Sequence, residues 1–262
     1  GPTTIAYDSI GKKLFVADTG NNRVLVFNVP FITNGMDSAK VLGQSNFTTN
    51  TSSLTQKGLG QPLGLAYDLI TKKLFVADVL NHRVMVFNAG SITNGENAIN
   101  VLGQPNFTSN TSDATQSGMS FISGLSLDTA SKRLFVPDRI FNRVLVFDVA
   151  TITNGEPAIN VLGQNNFNST DAGLNQDGLN VPMASTYDSS GHRLFVADSG
   201  FHRIMVYDVS TITNGESAIN VLGQNDFTSS IADATQNNLY HPRAVTFESS
   251  NGLLYVGDSL NN

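Results

Sequence analysis

Four copies of Val-Leu-Gly-Gln, beginning at Val41, Val101, Val161 and Val221, stand 60 residues apart and set the period of the chain. The same step separates Asp18, Asp78, Asp138, Asp198 and Asp258, then Arg23, Arg83, Arg143 and Arg203, then Phe47, Phe107, Phe167 and Phe227. Residues 92–104, 152–164 and 212–224 differ from one another only at Asn97, Pro157 and Ser217. Self-similarity at a fixed interval means that one supersecondary unit is stacked on copies of itself. Identity this close points to recent duplication.

Within a unit four segments read as strands, called A to D. In the second unit they are 63–67, 73–77, 83–87 and 99–102, separated by turn-forming Asp, Asn, Gly and Thr. Helix is disfavoured because β-branched and aromatic residues dominate and no segment sustains apolar spacing at i, i+3, i+4 and i+7. Strand C is apolar at consecutive positions, as in Val84-Met85-Val86-Phe87, which implies burial on both faces. Four antiparallel strands per unit, stacked radially, predict an all-β chain folded as a β-propeller of four-stranded blades. The coils of a β-solenoid are much shorter than this unit.

The segment Leu14-Phe15-Val16-Ala17-Asp18-Thr19-Gly20-Asn21-Asn22-Arg23-Val24-Leu25-Val26-Phe27 resembles the NHL repeat, with its apolar strand, Asp, Asn and Arg-Val opening of the next strand. The resemblance runs through five copies and implies a propeller, commonly six-bladed, used mostly for binding. The unit here is longer than a minimal NHL repeat, the excess lying between Gln44 and Pro62 and at the equivalent places. Residues 1–262 are expected to form a single NHL-like propeller domain of four complete repeats plus two strands of a fifth, incomplete at its C-terminal end, with five or six blades in the intact protein. In this register Asn262 matches Asn22 and Asn142, so the next residue by pattern is the Arg that opens strand C. Strand B of the fifth unit is then expected to carry an open edge, completed by further residues or covered by a second chain.

Composition excludes several roles. Charged residues make up 14% of the chain, against about a quarter in ordinary globular domains, and the net charge is −6. No basic footprint for nucleic acid is present. With no cysteine there is neither a disulfide framework nor a thiolate metal site. No apolar run approaches the length of a membrane span, so no membrane insertion is expected.

The aspartate at the end of each strand B invites a reading as a ring of metal ligands. An Asp followed within five residues by Asn and Arg also hydrogen-bonds its own turn and pairs with the Arg opening strand C, and a residue present in every copy is expected to serve the blade. Of His82, His192, His202 and His241, only His82 and His202 occupy equivalent positions, so a convergent zinc set is not expected. No nucleophile elbow, phosphate loop or His-Glu-x-x-His occurs. No cofactor is implied.

In an antiparallel blade the A–B and C–D turns share one end. That end carries Lys12-Lys13, Lys72-Lys73, Lys132-Arg133 and His192-Arg193 together with Glu96, Glu156 and Glu216, a solvated mixed-charge face. The other end carries the long D–A loops and B–C turns that vary between otherwise similar copies. The ligand-binding candidates there are Val79, Leu80, Arg139, Ile140, Phe141, Phe201 and His202, apolar or distinctive residues in turns where other copies manage without them. Sequons at Asn46, Asn50, Asn106, Asn110 and Asn168 matter only in a eukaryotic secretory pathway. The expected function is a non-enzymatic scaffold presenting this loop face to a protein, peptide or glycan, at an extracellular or cell-surface location. The alternatives are a metal-assisted lyase or hydrolase in the central channel and a structural module of a larger extracellular protein or assembly.

Overall fold

The structure is a computed structural model that describes residues 1–261; Asn262, and the register position assigned to it above, lie outside the described residues. The chain divides into two compact units. The first comprises Gly1–Asp113, Ser117–Ile122 and Thr151–Glu156, and the second Ala114–Gln116, Ser123–Ala150 and Pro157–Asn262.

The first unit holds two four-stranded antiparallel sheets. One is β1 (Ile5–Asp8), β2 (Lys13–Asp18), β3 (Arg23–Asn28) and β4 (Lys40–Leu42), in that order; the other is β5 (Pro62–Asp68), β6 (Lys73–Asp78), β7 (Arg83–Asn88) and β8 (Asn100–Leu102). The second unit repeats the plan with β9 (Ser126–Asp128), β10 (Arg133–Asp138), β11 (Arg143–Asp148) and β12 (Asn160–Leu162), and with β13 (Pro182–Asp188), β14 (Arg193–Asp198), β15 (Arg203–Asp208) and β16 (Asn220–Leu222). It ends on the two-stranded β17 (Pro242–Glu248) and β18 (Leu253–Asp258). Strands A, B, C and D of the sequence reading therefore form, with shifts of a residue or two at their ends.

Local chemistry sets the turns. At the first four A–B turns an aspartate closes the hairpin: Asp8 Oδ1 accepts from the Gly11 N–H at 2.8 Å, and Asp68 Oδ1 from the Ile70 N–H at 2.9 Å. At the B–C turns Asn22, His82, Asn142 and His202 all adopt left-handed φ, between 49° and 57°. Asn and His enter that region more readily than most side chains, which accounts for their alternation at this one position.

Packing follows the pattern of strand C. Strands β7, β11 and β15 are buried along their apolar length, as consecutive apolar residues predict. In β3 burial alternates, and Leu25 and Phe27 stay half-exposed. One core cluster joins Phe15, Val26 and Leu42 to Leu65, Leu74 and Val76, with the Phe15 and Tyr67 rings 5.2 Å apart. A second joins Phe135, Val146 and Leu162 to Leu194, Val196 and Met205. A third sets Phe195 against Phe247 at 5.5 Å. Each fully buried Leu or Phe contributes about 1.5–3 kcal/mol.

Among the described residues β18 has a strand on one side only, and Leu253 and Tyr255 are 49% and 52% exposed. The equivalents of Tyr255 in β6 and β14, Phe75 and Phe195, are buried.

Candidate binding face

The Asp and Arg of each unit come together at the end of strand B. Asp78 and Arg83, Asp138 and Arg143, and Asp198 and Arg203 are side-chain ion pairs with no exposed surface, at 2.7, 3.0 and 2.6 Å. The first copy, Asp18 with Arg23 at 2.7 Å, is slightly exposed. Antiparallel pairing places the two residues opposite each other across the turn, as in Asp78↔Arg83. The expected pairing of the aspartates with their arginines is what the structure shows.

Each pair also clamps the neighbouring loops. Arg83 Nη1 donates to the Phe107 carbonyl at 2.5 Å, and its Nη2 donates to the carbonyls of Thr55 and Gly58 at 3.0 and 3.1 Å. Asp78 Oδ1 accepts from the Gly60 N–H at 2.6 Å. Arg203 repeats this with the Phe227 and Gly178 carbonyls at 2.6 and 2.9 Å, and Asp198 with the Asn180 N–H at 2.6 Å. Charge-assisted hydrogen bonds on all three guanidinium nitrogens of Arg83 are what make its burial tolerable. Burial nevertheless raises the Asp78 carboxyl above its ordinary value against the pull of Arg83, and lifts Asp198 to about 6 against Arg203.

The glutamine of Val-Leu-Gly-Gln completes the clamp. Gln44 Nε2 donates to the carbonyls of Asn22 and Thr51, both at 2.9 Å, and Gln104 Nε2 to those of His82 and Thr111 at 2.9 and 2.8 Å. Gln164 and Gln224 do the same with Asn142 and Asp171 and with His202 and Ile231. Asp, Arg and Gln thus fasten the D–A loops to the B–C turns. The B–C turns project from a tied-down base.

The seven sequence candidates divide on this base. Val79 is fully buried, contrary to its expected place in an exposed turn, because a short 3₁₀ turn over Val79–Asn81 directs it inward. Leu80 and Ile140 point outward, 42% and 58% exposed. Phe141 and Phe201 are half-buried and lie over the guanidinium groups of Arg143 and Arg203, each 5.2 Å from the ring centre. A ring there adds a cation–π contact to the clamp. Arg139 is half-buried, and burial, then the charge of Arg243, lower its pKa.

His202 sits in a cluster that the sequence reading missed. Its Nδ1 accepts from the His241 N–H at 3.3 Å, and its ring lies 4.5 Å from the His241 ring and 5.3 Å from Tyr240. Ser199 Oγ is 3.4 Å from His241 Nδ1. Burial, then the neighbouring His241, lowers the His202 pKa. The signal available was modest: positions 61, 121, 181 and 241 read Gln, Phe, Val and His, the same kind of variation that marked the B–C turns. Among the described residues no group of three or more His, Asp or Glu is placed to hold a metal ion, and no helix is long and apolar enough to cross a membrane.

At the opposite end the charges are used locally. Lys13 Nζ donates to the Ala89 carbonyl at 2.9 Å and Arg133 Nη1 to the Val209 carbonyl at 2.6 Å. Glu96 and Glu216 accept from the backbone N–H groups of Thr93 and Thr213.

No family model matches the chain, and no curated protein matches it. Solved structures do. A chain in the crystal structure of a nidogen/laminin complex matches 98% of this chain and 72% of its own length at 16% identity, with a TM-score of 0.54. The β-propeller domain of Cps50 (Swd1) from Myceliophteria thermophila matches 98% of this chain at 12% identity, with a TM-score of 0.57, and this chain spans 62% of its length. At these identities the likeness is one of fold, and with the four-stranded antiparallel sheets it makes this chain a β-propeller.

Proposed function

We propose that the chain is a non-enzymatic binding scaffold of NHL type, each 60-residue unit serving as one blade, that presents its B–C turns and D–A loops to a protein, peptide or glycan outside the cell or at its surface. The observation that carries this reading is the division of labour at the loop end. The residues that recur in every unit are consumed in the clamp, whereas the position that reads Gly20, Leu80, Ile140, Gly200 and Leu260 varies and leaves Leu80 and Ile140 exposed on it. A crystal structure of similar fold comes from a nidogen/laminin complex, in keeping with a propeller that works by contact.

The test uses a displayed peptide library and a glycan array, screened against the chain and against its Leu80→Ser/Ile140→Ser variant. Binders that weaken about tenfold or more in the variant, at unchanged melting temperature, are the expected result. Binders indifferent to both substitutions overturn the assignment of the face. Stoichiometric metal in the purified protein by elemental analysis favours the lyase or hydrolase reading instead.

A further inference from the structure

In three repeats the residue that ends the B–C turn also reaches the start of the following strand A. Asn22 Oδ1 accepts from the Gln61 N–H at 2.8 Å, Asn142 Oδ1 from the Val181 N–H at 2.9 Å, and His202 Nδ1 from the His241 N–H at 3.3 Å. The three donors share a left-handed φ, between 53° and 54°, and each directly precedes the proline that opens strand A: Pro62, Pro182 or Pro242. That conformation is unfavourable for a side chain such as Val181 and has to be held by its surroundings. The bond from the B–C turn is a latch that helps to hold it.

The latches differ in chemistry. An amide oxygen accepts a hydrogen bond at every pH, whereas an imidazole nitrogen accepts only while it is unprotonated. Of the three, the latch on His241 is the one that a proton can open. The titratable and charged groups around the His202 ring are His241, its ring 4.5 Å away, Tyr240, its ring 5.3 Å away, and Asp258, whose Oδ1 accepts from the Tyr240 N–H at 2.7 Å. The Asp198–Arg203 pair, on the same turn as His202, is closed on itself at 2.6 Å. Burial, then the charge of His241, favour the neutral His202 ring and outweigh Asp258 and the Ser199 carbonyl, which favour the protonated one, so its pKa lies below the ordinary imidazole value. The latch is therefore closed at neutral pH, and its contribution is lost as pH falls through the ordinary imidazole value towards the lowered one.

We infer that protonation of His202 opens this latch and frees the loop leading into β17, giving one sector of the loop end a response to acid that the asparagine repeats lack. The switch does not depend on what that face binds. His82, at the same turn position, supplies a control: its Nδ1 has no hydrogen-bond partner among the described residues, so its titration has no N–H to release.

Amide hydrogen exchange and proton–nitrogen NMR of the whole chain without ligand, from neutral pH down to about pH 5, test this. With rates corrected for the pH dependence of free-chain exchange, the His241 amide is expected to lose its protection as the His202 ring titrates. The Gln61 and Val181 amides should keep theirs. His202→Asn installs the acceptor of the other two latches, and the His241 amide should then stay protected throughout. His241→Gln installs the residue of position 61, keeps the N–H and removes the second imidazole, so protection at position 241 should be lost at a higher pH than in the wild type. This second variant keeps the test valid should His202→Asn fold poorly. Three outcomes overturn the inference: a His241 amide protected down to about pH 5 in the wild type, equal loss in His202→Asn, or loss at His241 and Val181 together.

Discussion

The same Asp-x4-Arg spacing appears at both ends of strand B, and the two ends use it differently. At the A–B end Asp188 faces Arg193 at 2.7 Å, and the arginine side chain is 42% exposed. At the B–C end Asp198 faces Arg203 at 2.6 Å with no exposed surface on either. The first pair decorates a hairpin whose aspartate already bonds its own turn, through the Ser190 N–H and hydroxyl. The second reaches outward from the hairpin to hold two long loops. Depth and additional backbone partners, rather than the ion pair itself, separate a surface ornament from a structural joint.

The comparison breaks most visibly on removing an arginine. Arg83→Met leaves the Asp78 carboxylate buried without a counter-ion and frees three loop carbonyls, at an expected cost of about 3–5 kcal/mol in denaturant unfolding. Arg193→Met, at the other end, should cost under about 1 kcal/mol. Equal losses would mean that depth is irrelevant.

Acid titration sharpens it next. Burial raises the Asp188 carboxyl, but hydrogen bonds from Ser190 and Arg193 outweigh this and hold it at about 2. Its folded value lies below its unfolded one, so its contribution, about 2 kcal/mol, is present above the ordinary carboxylate range and is lost as pH falls towards 2. Asp198, raised to about 6 by burial, has the opposite sign. Its term is fully present below the ordinary carboxylate range and is lost as pH rises through 6. Asp188→Asn should flatten the acid limb of the stability curve, and carboxyl shifts followed by NMR should show the two residues titrating far apart in the stated order.

Smaller effects follow. Gln104→Ala strands the His82 and Thr111 carbonyls and should lower stability by about 1–2 kcal/mol, with the melting temperature as the readout. Leu80→Ser and Ile140→Ser should each stay within about 0.5 kcal/mol of the wild type. A larger fall would place either side chain in the core.

Much of this contrast was legible in the sequence. The period located the strands, and the fixed interval between Asp78 and Arg83 forecast their pairing, because an antiparallel hairpin of that length sets its ends side by side. The inward turn of Val79 was not legible, since neighbouring apolar residues in a turn carry no periodicity to say which one faces the core. Phe141 and Phe201 left a trace that went unused: each stands two residues before an arginine whose guanidinium it covers. The second aspartate series, Asp8, Asp68, Asp128 and Asp188, stood at the same 60-residue interval as the first and marked the A–B turns. The cluster of His202 with Tyr240 and His241 depends on residues nearly forty positions apart in the chain, a contact that only the stacking of units creates.

The account stands most directly on the D–A loops being rigid although they contain no strand or helix. Amide hydrogen exchange across residues 103–120 measures this. Thr111, whose N–H donates to Gln104 Oε1 at 3.0 Å, should be protected in the wild type and should lose that protection in Arg83→Met before β7 does. Exchange at the rate of free chain throughout that loop in the wild-type protein would contradict the claim that Asp, Arg and Gln hold the binding face in place.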